Sequence, residues 1–245
     1  MPDAHRDHPL AAHYDALWET TAPAVREGRV SLDPWPTRKH DDPRRGLTLL
    51  GRPAPAVASR LVALLDELRE IEPDQYYQPR ADLHLTVLSL FSATADHEQH
   101  AARIDDYRDA VAEALDGAPP FAVDTIGVTL APGAVIAQGF PRGDALDHLR
   151  ARLRRVATAH GLGDTLDQRY LLKTAHSTLV RFVAPLRDPG RFVNAVAAAR
   201  RRDFGTSTVT RLELTLADWY QSTELARPVG EFTLGTSPPD APADG

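Results

Sequence analysis

Two stretches decide how this chain is read: Asp82-Leu-His-Leu-Thr-Val-Leu-Ser-Leu-Phe91 and Thr174-Ala-His-Ser-Thr-Leu-Val-Arg-Phe-Val183. Both are rich in β-branched and apolar residues and hold no proline or glycine, the composition of a strand. Both also hold the same tetrad, His84-Leu85-Thr86-Val87 in the first and His176-Ser177-Thr178-Leu179 in the second, 92 residues apart. Residues i and i+2 of a strand share a face. His84 and Thr86 are therefore expected to project together, with Leu83, Leu85 and Val87 turned into a core. The same spacing pairs His176 with Thr178, with Ala175, Ser177 and Leu179 behind them. Each strand then presents an imidazole and a hydroxyl side by side.

Outward from these strands, helix and strand patterns alternate. Gly46 to Gly51 reads as a short strand. Pro55 to Glu70 reads as a helix with Val57, Leu61, Leu64, Leu65 and Leu68 on one stripe. Helices are expected over 104–115, 144–160 and 188–202. Strands are expected over 121–129, with a hairpin return at 134–140 after Pro132-Gly133, and over 209–219 and 229–234. Hairpin-like pairs recur, and no glycine-rich phosphate loop follows any strand. The expected class is therefore α+β rather than a doubly wound parallel sheet. Residues 1–45 are polar and proline-rich, apart from a helix near 10–26 with Leu10, Tyr14 and Trp18 at helical spacing. They are expected to form an extension packed on a main body at 46–235. The segment 236–245, TSPPDAPADG, reads as a disordered tail.

Composition narrows the function. The 245 residues carry a formal charge of −6, which argues against a protein that holds long nucleic acid by counterion release. A local basic groove is still compatible with that charge. There is no cysteine, hence no disulfide, thiol nucleophile or cysteine-ligated zinc. The N-terminus has no apolar core of a secretory signal, and no apolar run is long enough for a membrane span. The expectation is a cytoplasmic protein without membrane contact, and a monomer.

The two tetrads suit one type of chemistry. Imidazole has an ordinary pKa near 6.5, so one histidine can take a proton from an attacking hydroxyl or water while the other gives one to a leaving oxygen. Threonine hydroxyls can donate to the non-bridging oxygens where charge builds during transfer at phosphorus. No metal or cofactor is required. With ten histidines, two such tetrads arise by chance in roughly one chain of 25 of this composition.

These paired His-x-Thr-apolar motifs resemble those of the 2H phosphoesterase superfamily, whose members include the RNA 2′,3′-cyclic phosphodiesterases, or 2′-5′ RNA ligase-like proteins. The second motif runs on into Val180-Arg181, similar to the arginine that often trails it there. The resemblance covers residues 46–235. It implies a two-lobed α+β fold with antiparallel sheets lining a central cleft and helices outside. It also implies metal-independent catalysis by His84, His176, Thr86 and Thr178, on a nucleotide or RNA-end phosphodiester opened to a 2′-phosphate. A non-catalytic binder of phosphorylated RNA ends, and a hydrolase of a non-RNA phosphodiester, are the alternatives.

Further residues are candidates for binding the substrate. Tyr76 and Tyr77 precede the first motif and Trp219-Tyr220 follow the 209–219 strand; all four can stack on a base. Lys173 and Arg181 flank the second motif and can supply positive charge, although strand alternation places Arg181 on the face opposite His176. His97-x-x-His100 has no completing ligand for a metal site and reads as a solvated helix face. So does the run Arg150, Arg152, Arg154, Arg155.

Overall fold

Why the tetrads fall where they do follows from the strand order. The computed structural model describes residues 5, 7–166 and 171–235, so the tail expected at 236–245 lies outside the described residues. In chain order the elements are α1 (Pro9–Arg26), β1 (Arg45–Gly51), α2 (Pro55–Arg69), β2 (Tyr76–Tyr77), β3 (Leu85–Thr94), α3 (Glu98–Ala101), α4 (Ile104–Leu115), β4 (Phe121–Ala131), β5 (Ala134–Pro141), α5 (Ala145–Ala159), β6 (Ser177–Arg181), α6 (Pro189–Ala198), β7 (Asp203–Val209), β8 (Arg211–Ala217) and β9 (Arg227–Thr233). The strands form a four-stranded sheet, β3-β1-β8-β9, and a five-stranded sheet, β2-β6-β5-β4-β7. Every pairing is antiparallel. The class is α+β, as the hairpin-like spacing predicts.

The sheets draw strands from both halves of the chain. The C-terminal hairpin β8–β9 returns to the first sheet, while the short β2 crosses to the second. The helices cross in the same way. Helices α4 and α5 cover the first sheet, burying Tyr107, Val111, Leu149 and Leu153 against Leu47, Leu49 and Leu214. Helices α2 and α6 cover the second, burying Leu61, Leu64, Phe192 and Val196 against Val128, Val135 and Val180. Proline at the first turn starts α2 and α6, where a missing N–H costs nothing, and the Asp188 carboxylate caps α6 by accepting from the Arg191 N–H. Tyr14 of α1 is fully buried on β5, against Ala134, Ile136 and Phe140. No helix among the described residues is long and apolar enough to cross a membrane.

The departures from the expected elements have local causes. Both motif strands start later than the sequence suggests: His84 and His176 stand just ahead of β3 and β6, and the first sheet's ladder ends at Gly51 paired with Leu85. Neither β2 nor β7 is expected from the sequence. β2 has only two residues. In β7, Thr125 pairs with Gly205 and Ile126 with Asp203, so Phe204 is an extra residue. That bulge shifts the buried positions from Phe204 to Ser207 and Val209 and breaks the period of two. Helix α6 ends at Ala198, short of the expected 202, and β7 begins at Asp203.

Candidate active site

The motif strand is the outermost of the first sheet and lies inside only β2 in the second, so the two tetrads meet where the sheets face each other. A cavity of about 150 Å³ opens there, lined by His84, Thr86, His176 and Thr178 together with Arg181 and Tyr220. Leu83, Leu85, Val87, Ala175 and Leu179 are buried behind them. Ser177, between His176 and Thr178, turns across to the other lobe and donates its hydroxyl to the His84 carbonyl at 2.6 Å.

Close packing brings the second motif in. A Cβ on Gly139 of β5 would stand 1.7 Å from the Ala175 carbonyl oxygen, so only glycine lets the segment ahead of His176 lie against that strand. The Gly139 carbonyl accepts from the buried Tyr14 hydroxyl at 3.2 Å, so α1 braces the same place from behind.

Arg181 corrects the simple alternation. Val180 pairs with Val135 and Thr178 with Ile136, which makes Leu179 an extra, bulged residue. The bulge advances the alternation by one and puts Arg181 on the cavity side with His176 and Thr178.

The two imidazoles are held differently. His84 Nδ1 lies 2.7 Å from the Asp82 carbonyl, which can only accept, so Nδ1 carries a proton and the neutral ring keeps its lone pair on Nε2. His176 Nδ1 lies 2.8 Å from the Thr174 hydroxyl, which can donate or accept. Burial pushes both rings down to about 4. After burial, the Asp82 carbonyl pushes His84 back up and Arg52 pushes it down, with the Asp82 carboxylate acting upward and Arg181 downward behind them. Around His176 every neighbouring charge acts downward: His84, Arg181, Arg150 and His13.

One wall is aromatic. The Tyr220 hydroxyl donates to the Asp33 carboxylate at 2.7 Å, its carbonyl accepts from Gln78 Nε2 at 2.9 Å, and its ring lies 5.8 Å from the Arg181 guanidinium. The loop carrying Trp219 and Tyr220 is closed by the buried Asp218, which accepts from the Ser222 N–H and hydroxyl at 2.8 Å each. Within it Gln221 adopts a left-handed φ of 55°, and its side chain bonds Thr48 and Thr215. A non-glycine residue in this conformation is held there by its surroundings.

The structure therefore brings together seven of the ten candidate residues: His84, Thr86, His176, Thr178, Arg181, Trp219 and Tyr220 all line the cavity. Tyr76 stands one layer back, its ring 6.3 Å from Tyr220 and its hydroxyl 3.3 Å from Lys39 Nζ. Tyr77 points away into the second core and donates to the Glu72 carbonyl. Lys173 is exposed and is not part of the cavity wall. His100 packs its ring on Phe91, and among the described residues no group of three or more metal-ligating side chains gathers anywhere.

The reading of Arg150 as part of a solvated face is wrong. Its side chain is 1% exposed, and its guanidinium donates to carbonyls of both motif segments. The signal was present: residues 146, 149, 150, 153, 156 and 157 share the buried stripe of α5, and an arginine sits among its leucines. Gln78, Gln221 and Asp33 carry no such signal, because what they bond is set by tertiary structure.

No protein-family model matches the sequence, and no curated protein matches it. Solved structures do. The chain superposes on TT0787 of Thermus thermophilus with a TM-score of 0.59 at 18% identity, over 78% of this chain and 98% of that one. It superposes on E. coli LigT, solved in complex with ATP, with a TM-score of 0.52 at 13% identity, over 79% of this chain and 99% of that one. At these identities the likeness is one of fold.

Proposed function

We propose that this chain, which has the fold of the LigT-like 2H phosphoesterases, is a metal-independent phosphodiesterase that opens 2′,3′-cyclic phosphates of nucleotides or RNA ends. One observation carries the reading: an imidazole and a hydroxyl from each of two tetrads 92 residues apart line a single cavity beside an arginine. The binding of ATP by E. coli LigT, a neighbour in fold, supports a nucleotide as the ligand class.

The step is an in-line displacement. The oxygen of water bonds to phosphorus as the P–O3′ bond breaks. The proton of water passes to one imidazole, and the other imidazolium gives its proton to O3′, leaving a 2′-phosphate and a free 3′-hydroxyl. Thr86, Thr178 and Arg181 face the non-bridging oxygens. An anionic phosphodiester between the rings counteracts the burial that holds them neutral, and draws in one proton. His84 is the better host, since the Asp82 carbonyl and carboxylate favour its cation. Arg181 disfavours a cation on either ring, whereas Arg150 bears on His176. His84 is thus assigned as acid and His176 as base.

The test is turnover, with EDTA present, of 2′,3′-cyclic AMP and of a short RNA ending in a 2′,3′-cyclic phosphate, by wild type, His84→Ala and His176→Ala. Conversion to a 2′-phosphate, lost in either variant, is the expected result. Tight binding of both compounds with no turnover would move the reading to a binder of phosphorylated ends. Turnover only of phosphodiesters outside RNA would move it to the other alternative.

A further inference from the structure

Of the four arginines on α5, one turns inward. A buried guanidinium is tolerated only when its donors are met; those of Arg150 point at main-chain carbonyls, with the exposed Asp147 carboxylate 4.0 Å from Nη1. Nε donates to Val87 at 2.9 Å, Nη2 to Thr86 at 3.0 Å and to Thr174 at 2.8 Å, and Nη1 to Lys173 at 3.2 Å. Thr86 and Val87 belong to the first tetrad; Lys173 and Thr174 lead into the second. These segments sit in different sheets, so no ladder of hydrogen bonds fixes one against the other. A planar fork that grips both fixes their separation and their tilt.

We propose that Arg150 is the positioning residue of the paired-histidine site, holding the two tetrads at the separation the reaction needs and setting apart the electrostatic surroundings of the two imidazoles. The inference rests on the acid–base reading of the site. Its charge bears on His176, whose other charged or titratable neighbours are Arg181, His84 and His13. The neighbours of His84 are Arg52, Asp82, Arg181 and, reciprocally, His176. Arg150 is thereby on the side of the assigned base, which must stay neutral to accept a proton. Lysine in its place would keep the charge but offer three donors from one point, which cannot span four carbonyls on two segments.

The experiment compares full-length wild type, Arg150→Lys and Arg150→Met, each checked for folding by thermal melting. Two readouts are taken. The first is kcat and KM on 2′,3′-cyclic AMP from about pH 5 to 9. The second is an NMR titration of the imidazoles without substrate. Arg150→Lys is expected to lower kcat about 100-fold with little change in KM, as a misplaced pair should, and to leave the His176 midpoint near wild type. Arg150→Met is expected to lower kcat as far and to move the His176 midpoint upward while that of His84 stays. A folded Arg150→Lys with kcat within about threefold of wild type, or an Arg150→Met with an unmoved His176 midpoint, overturns the proposal. Should Arg150→Met fail to fold, the kcat of Arg150→Lys decides alone. If wild type turns over nothing, the acid–base reading fails, and the titrations still report whether Arg150 acts on His176.

Discussion

The first and second tetrads repeat the same residue types in unlike surroundings. His84 leans on a backbone carbonyl, which can only accept, and has the Asp82 carboxylate nearby. His176 leans on the Thr174 hydroxyl, which can turn either way, and is ringed by cations and other histidines. Both strands are bulged at the fourth residue of the tetrad, Val87 in the first and Leu179 in the second, and after the bulge the first strand turns Ser89 to the cavity where the second turns Arg181. The internal echo brought two identical sets of reagents to one cavity. On the proposed acid–base reading, the unlike surroundings of the two rings are what would separate acid from base.

The largest expected effect breaks the pair. Loss of either imidazole should lower kcat/KM by about a thousandfold, the range general acid or base catalysis supplies. The pH profile separates the two. His176→Ala should remove the acid limb, which reports a base losing its proton, and His84→Ala the basic limb, which reports an acid keeping one. If the limbs vanish the other way round, the roles are reversed. If neither limb moves, the two rings are not the groups that titrate.

Much of this arrangement was legible in the residues, because it depends on local pattern. Helix α4 occupies the span expected for it, and the stripe of α2 is buried as expected. The sharing of one cavity by His84, Thr86, His176 and Thr178 was legible because His-x-Thr places two side chains on one face. What was not legible depends on bulges and on strand order. An extra residue at Leu179 reverses the side on which Arg181 falls, and one at Phe204 hides β7. Tyr77 and Lys173 lie as near their motifs in sequence as Arg181 does, yet point elsewhere. The burial of Arg150 was readable from its place on the stripe but its partners were not, since those carbonyls come from two segments far apart in the chain.

The next effect in size concerns the two rings without substrate. Both are held down to about 4 by burial, against an ordinary 6.5 in the unfolded chain. Between these values the unfolded chain binds protons that the folded protein refuses. Stability is therefore full above about pH 6.5 and falls as the pH drops toward 4, by about 3 kcal/mol for each ring taken alone. Urea unfolding at pH 7.5, 6 and 5 should show this slope in wild type and a shallower one in His84→Gln and His176→Gln. An equal slope in all three would falsify the claim that the empty site keeps its imidazoles neutral.

The smallest effect sharpens the contrast between the two supports. The partner of His84 Nδ1 is main chain and survives any substitution, whereas that of His176 Nδ1 is a hydroxyl that Thr174→Val removes with almost no change of shape. Without it His176 loses the group that fixes its ring and serves either tautomer. About a tenfold fall in kcat is expected, the size of one neutral hydrogen bond, with KM little changed and Thr174→Ser restoring most of the rate. Nitrogen chemical shifts of the imidazoles give the direct readout. The ring of His84 should keep its proton on Nδ1 in both proteins, as its carbonyl partner requires. The Nδ1 signal of His176 should change between wild type and Thr174→Val. If both rings respond alike, their supports are equivalent, and the difference that assigns acid and base must come from charge alone, from Asp82 on one side and Arg150 on the other.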